Sequence, residues 1–120
     1  MDQAKKILVV DDDQDSSYLI QELIELCFDG VVVSTAVNGK DGWQKFQENQ
    51  PDVVITDLEM ETRDAGFLLA KIIKTISPNT LVIMVTGANL EKPDCVDSLL
   101  SKPFEVNALR KEIQESLERR

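Results

Sequence analysis

The apolar residues of this chain fall in two alternating periods. Lys5 to Val10 (KKILVV) is a compact apolar run that stops at Asp11-Asp12-Asp13. Short continuous runs of this kind predict strands buried on both faces of a parallel sheet. Four more follow: Val31 to Val37, Val53 to Thr56 running into Asp57, Leu81 to Val85 before Thr86-Gly87, and Ser98 to Ser101 before Lys102-Pro103. Between them the spacing becomes helical. Tyr18, Leu19, Leu23, Ile24, Leu26 and Cys27 predict a helix from Ser16 to Phe28, with Asp15 or Ser16 as N-cap, Cys27 in the core and Gly30 as breaker. Lys40 to Asn49 predicts a short helix after the Asn38-Gly39 turn. Its Trp43 and Phe46, one turn apart, are expected to pack inward, because no basic groups surround Trp43 to make it a stacking platform. Gly66 to Ile76 predicts a strongly apolar helix stopped by Pro78-Asn79. Val106, Leu109, Ile113 and Leu117 mark one face of a terminal helix, with Arg119 and Arg120 near its C-terminal dipole.

Strand and helix alternate, which predicts an α/β fold: a parallel sheet with helices on both faces. The length, 120 residues, suits one domain spanning 1–120, and no repeat or internal linker divides it. One crossover is unusual. Residues 87–97, between the fourth and fifth strands, number eleven, near the lower limit of about a dozen for a parallel crossover. Pro93 also disfavours helix at Lys92. The helix expected there is shortened or absent, leaving an irregular or mobile segment.

Composition narrows the function. Thirteen basic against twenty-two acidic residues give a net charge of −9. That argues against nucleic-acid binding, whose footprint is a basic patch, and against an anionic membrane surface. No apolar run approaches the roughly 20 residues that span a bilayer, and no signal peptide is visible. Two cysteines without metal-ligand spacing fit a reduced, cytoplasmic setting. Histidine is absent, which removes histidine-based acid–base catalysis, metal ligation and autophosphorylation.

Parallel strands bring their carboxyl ends to one edge, where ligands bind in open α/β sheets. That edge collects Asp11-Asp12, Asp57, Thr86 and Lys102. Clustered carboxylates repel, so they raise a pKa or recruit a cation, and oxygen-only ligands select a hard divalent ion such as Mg²⁺. A metal with an open position beside a lysine suits phosphoryl oxygens, and Asp57 can serve as nucleophile.

Through ILVVDDD, PDVVITDLEM, VIMVTGA and SKPF, each at its own strand end, the chain resembles the response-regulator receiver domain of two-component signalling, the chemotaxis-regulator type, from about Lys6 to Leu117. The resemblance implies a flavodoxin-like (βα)₅ doubly wound sheet of order 2-1-3-4-5. It implies a phosphoprotein in which Asp57 takes a phosphoryl group from a histidine kinase or histidine phosphotransfer protein, forming an aspartyl phosphate that signals to a downstream protein or passes along a phosphorelay. By the same resemblance Asp12, Asp57 and the backbone carbonyl of Glu59 would ligate Mg²⁺, and Asp11 would hold a metal-bound water. Lys102 would neutralise phosphoryl oxygens, Thr86 would bond one of them, and the Lys102-Pro103 bond would be cis. Glu59 and Ala88 would tune the lifetime of the phosphoform. Asp13 has no role in the family pattern and is expected to be solvated charge.

Three departures stand out. Glu61 replaces the family's usual proline in the loop after Asp57, and the glycine usual after Asp64 falls one place later, at Gly66, so a different turn is expected. The 87–97 crossover lacks room for a normal helix. Leu99 stands where many receivers carry a switching aromatic. Intact chemistry with an altered readout is therefore expected, through another face or through ordering of 87–97. Competing readings are an EF-hand loop at Asp11-x-Asp13-x-Asp15 with Glu22, an aspartate-nucleophile phosphatase of the haloacid-dehalogenase type built on Asp11-x-Asp13, and a receiver-like interaction module without phosphorylation. No output domain follows the terminal helix, so the chain either acts alone or belongs to a longer protein.

Overall fold

The computed structural model describes residues 4–119. Five parallel strands, β1 (Lys5–Val10), β2 (Val31–Ala36), β3 (Val53–Asp57), β4 (Leu81–Thr86) and β5 (Ser98–Ser101), form one sheet in the order β2-β1-β3-β4-β5. Four helices accompany them: α1 (Gln14–Cys27), α2 (Gly39–Asn49), α3 (Ala65–Ile76) and α4 (Val106–Arg119). The flavodoxin-like, doubly wound expectation holds. β4 runs to β5 with no helix between them, and the chain's fourth helix, α4, follows β5.

Because successive strand residues point to opposite faces, each apolar run feeds two cores. Leu8, Val10, Val54, Val82 and Met84 pack under α2 and α3 with Phe46, Leu69 and Ile73. Ile7, Val9, Val53, Ile55, Ile83 and Val85 pack under α1 and α4 with Ile24, Leu109 and Ile113. The aromatic pair on α2 stacks, with centroids 5.6 Å apart; Phe46 is buried and Trp43 packs partly buried at the rim of the first core.

Residues 87–97 are irregular yet packed. Val96 is fully buried in the first core, the cluster that also holds Ala70 and Ile73 of α3. Its N–H donates to the Pro93 carbonyl at 3.1 Å, and Lys92 Nζ donates to the Val96 carbonyl at 2.9 Å. Asp97 then locks the segment to the sheet. Its Oδ2 accepts the Val82 N–H at 2.7 Å and pairs with Lys74 at 2.6 Å.

Helix α1 departs from expectation twice. Its N-cap is Asp13, whose side chain accepts the Asp15 N–H at 3.0 Å and the Ser16 hydroxyl at 3.1 Å. The Asp13 N–H is itself held by Asp11 Oδ1 at 2.9 Å, which turns the chain into helix earlier than expected. Asp13 is thus exposed, as expected of solvated charge near the helix start, and is also the cap. The buried stripe is Ser17, Ile20 and Ile24, while Tyr18, Leu19, Leu26 and Cys27 are exposed. The core placement of Cys27 is therefore wrong: α1 meets the sheet along one stripe, and position 27 lies off it. On α4, Leu109 and Ile113 are buried, Leu117 packs against the second core and Val106 is exposed; Arg119 lies in the last turn. Arg120 lies outside the described residues.

Candidate functional site

Strand register builds the site. Val10 pairs with Thr56, so the next residues, Asp11 and Asp57, emerge side by side. Asp57 faces Val85 across the next ladder, and Thr86 faces Ser101, which brings Lys102 to the same edge. One carboxylate oxygen from each of Asp11, Asp12 and Asp57 lies within 4.8 Å of the other two. Lys102 Nζ stands 2.9 Å from Asp57 Oδ2 and 4.0 Å from Asp11 Oδ2.

Both oxygens of Asp57 are held. Oδ2 accepts from Lys102, and Oδ1 accepts the Leu58 N–H at 2.8 Å. Behind it, the buried Thr56 hydroxyl donates to the Asp57 carbonyl at 2.8 Å. Thr86 is buried, and its Oγ1 accepts the Ala88 N–H at 3.0 Å, which leaves the hydroxyl hydrogen to be donated elsewhere. Glu59 lies two residues beyond Asp57 in the loop before α3. The Lys102-Pro103 peptide is cis.

Electrostatics follow from burial and crowding. Burial pushes the Asp11 carboxyl above its ordinary value. The Asp13 N–H and Lys102 pull it back, the charges of Asp57 and Asp12 push it further, and the net direction is up. Burial pulls the Lys102 ammonium down, but the hydrogen bond and charge of Asp57, helped by Asp11 and Asp12, outweigh this and hold it above its usual value. Three carboxylates face one ammonium. A hard divalent cation would neutralise the excess, and an all-oxygen donor set fits Mg²⁺.

One prediction follows for Asp11. The amide of Asp11→Asn keeps an acceptor for the Asp13 N–H and removes the charge, so the metal-free variant is expected to melt higher than the wild type. The folded pKa lies above the ordinary 3.8, so stability is lost as pH rises from that value through the folded one. The gain is thus present above the folded pKa and vanishes below 3.8. Thermal melts with chelator at about pH 7 and about pH 3 check it.

The same geometry removes one competing reading: Asp15 and Glu22 lie within α1, so Asp11 to Glu22 is no calcium loop. The Asp13 carboxylate serves the helix cap.

Two residues mattered more than their sequence positions suggested. Glu61 reaches α2, where Oε1 accepts the Gly39 N–H at 2.8 Å and Oε2 accepts that of Lys40 at 3.2 Å. Slight burial works to raise its carboxyl, but the N–H groups of Gly39, Glu61 itself and Lys40 outweigh it and hold it below its ordinary value. Gly66 donates its N–H to the Leu58 carbonyl at 2.7 Å, where α3 crosses directly behind Asp57. A shifted glycine was legible in the sequence; its contact was not.

A sequence profile of the response regulator receiver domain matches residues 7–114. The chain belongs to that family. Chemotaxis protein CheY of Halobacterium salinarum is 30% identical to this receiver over 108 residues, 85% of this chain and 88% of that protein. Autoinducer 1 sensor kinase/phosphatase LuxN of Vibrio campbellii is 30% identical over 90% of this chain, yet the chain spans only 13% of its length. Transcriptional regulatory protein GlrR of Escherichia coli is 34% identical over 93% of the chain, which spans 26% of that protein. Among solved structures, a response regulator receiver domain protein from Clostridium thermocellum superposes with a TM-score of 0.82 at 32% identity, covering 96% of this receiver and 95% of that chain. Response regulator TrrA of Thermotoga maritima, solved in complex with Mg²⁺-BeF, gives 0.80 at 28% identity, covering 93% and 98%. Among the described residues, no helix is long and apolar enough to cross a membrane.

Proposed function

We propose that this receiver is a phosphoacceptor switch working in the cytoplasm, with Asp57 taking a phosphoryl group from a histidine kinase or histidine phosphotransfer protein. The observation that carries the reading is the Asp57 carboxylate, fixed between the Leu58 N–H and Lys102, with Asp11 and Asp12 crowded beside it. An Asp57 oxygen forms the new bond to phosphorus as the phosphorus–nitrogen bond of phosphohistidine breaks, and the imidazole nitrogen keeps the electron pair. Lys102 passes from the carboxylate to a phosphoryl oxygen, and the free hydroxyl hydrogen of Thr86 donates to another. Asp12, Asp57 and the Glu59 carbonyl would hold Mg²⁺, with Asp11 reaching it through water, and the ion supplies positive charge against the phosphoryl oxygens. Lys102 and the Leu58 N–H set the attacking carboxylate in place before the donor arrives.

The donor must cover this end of the sheet. An apolar groove of about 440 Å³ between α1 and α4 opens at Asp11 and Lys102 and carries exposed Leu19, Leu26 and Val106, which supports docking of a protein donor there. The receiver turns nothing over in a sustained way: one stoichiometric phosphoryl group changes which protein it binds.

Intact-protein mass after incubation with acetyl phosphate tests the reading. A single phosphoryl adduct is expected with Mg²⁺, lost with chelator and absent in Asp57→Ala. If neither an adduct nor beryllofluoride binding is observed, the phosphoacceptor reading falls and the interaction-module reading replaces it.

A further inference from the structure

The loop of residues 58–64 carries Glu59, whose carbonyl is a metal oxygen in the function proposed above. Its ends are tied down, by Asp57 on one side and by the Gly66 N–H bonded to the Leu58 carbonyl on the other. Its middle reaches sideways. Glu61 accepts the first two N–H groups of α2, from a helix start 22 residues earlier in the chain. Those donors have no intrahelical partner. Their neighbours are served locally: Asn38 Oδ1 accepts the Asp41 N–H at 2.7 Å, and the Asn38 carbonyl accepts that of Gly42 at 2.8 Å. The start of α2 is thus shared between its own cap and a carboxylate from the loop after Asp57. Glycine at position 39 makes room for this, since a Cβ there would stand 3.2 Å from Glu61 Oε2.

We infer that Glu61 is a positioning residue of the metal site, a clasp on α2 that holds the loop so that the Glu59 carbonyl is presented at the sheet edge. The inference rests on the metal reading of Asp11, Asp12 and Asp57. It makes metal occupancy and the start of α2 interdependent, and linkage requires the coupling to run both ways. A residue that acted only on global stability, and not on the loop's conformation within the folded state, would not create that coupling.

Two readouts test it. Calorimetric titration with Mg²⁺ is expected to show about tenfold weaker binding in Glu61→Ala, the usual scale for losing a group that orients a ligand. Glu61→Gln keeps one of the two acceptor oxygens and is expected to recover only part of that loss. In the wild type, Mg²⁺ is expected to slow amide hydrogen exchange at Gly39 and Lys40, a measurement that needs no variant to fold. Unchanged affinity in Glu61→Ala, or exchange at Gly39 and Lys40 indifferent to Mg²⁺, overturns the clasp. Asp12→Asn and Asp57→Asn serve as reference. If they abolish Mg²⁺ binding while Glu61→Ala does not weaken it, only the clasp is lost. A wild type that binds no Mg²⁺ removes the metal reading and the clasp with it.

Discussion

Gly66→Ala is expected to cost about 3 kcal/mol of stability and to disable the site, although glycine-to-alanine inside a helix normally gains about 1 kcal/mol. The reason is what lies behind α3. A Cβ at position 66 would overlap the Asp57 carbonyl oxygen and stand 2.8 Å from the Asp57 carbonyl carbon and from Leu58 Cα. All of these are backbone atoms, which cannot swing aside as a side chain would. The helix cannot retreat either, because the Gly66 N–H is bonded to the Leu58 carbonyl at 2.7 Å. Relief must come from moving the peptide that carries the phosphoacceptor. Urea melts are expected to show a lower midpoint, and the folded fraction to form no Mg²⁺-dependent adduct. Gly87→Ala is the control: nothing lies within 4 Å of a Cβ there, so it should be close to neutral.

Asp97→Ala is expected to lose about 3 kcal/mol while leaving the chemistry of Asp57 intact in the folded fraction. Asp97 sits where β5 begins, at the end of the sheet opposite Lys102. The β4–β5 ladder starts only at Ile83 and Ser98, so the Val82 N–H has no strand partner on that side and takes Asp97 Oδ2 instead. Removing that oxygen strands a fully buried donor and leaves the part-buried Lys74 without its carboxylate. Asp97→Asn, which retains an oxygen for Val82, should lose about half as much. Faster hydrogen exchange across 87–97 would accompany both. An adduct yield that fell in step with Asp97→Ala, beyond its loss of folded protein, would contradict the separation of anchor and site.

Most of the site was legible because it depends on local pattern plus one topological rule. An apolar run that stops at a charged or hydroxyl residue marks a strand end, and parallel strands put all such ends together. Asp11, Asp57, Thr86 and Lys102 needed nothing more to be placed. The order of the sheet came with the family resemblance, not from spacing. The crossover without a helix was legible from its length and Pro93. What the chain did not disclose was set by contacts distant in sequence. Hydropathy says which residues of α1 can be buried, but the sheet and α4 decide that Ile20 and Ile24 are, and that Leu19, Leu26 and Cys27 are not. The Asp13 cap depends on Asp11 holding the Asp13 N–H. Glu61 looked like a missing proline, because its partners lie on another helix.

The buried Val96 and its neighbour Asp97 make the crossover before β5 an exchangeable part. Both anchors sit at its far end, and the stretch before Pro93, exposed or half-buried, contributes no fully buried residue to the core. Doubling the eleven-residue connection would cost only about 0.6 kcal/mol in closure entropy. A helix could therefore be gained or lost at this point in the lineage of such domains at almost no thermodynamic cost, while the acid-lined edge at the ends of β1 and β3 stayed as it is.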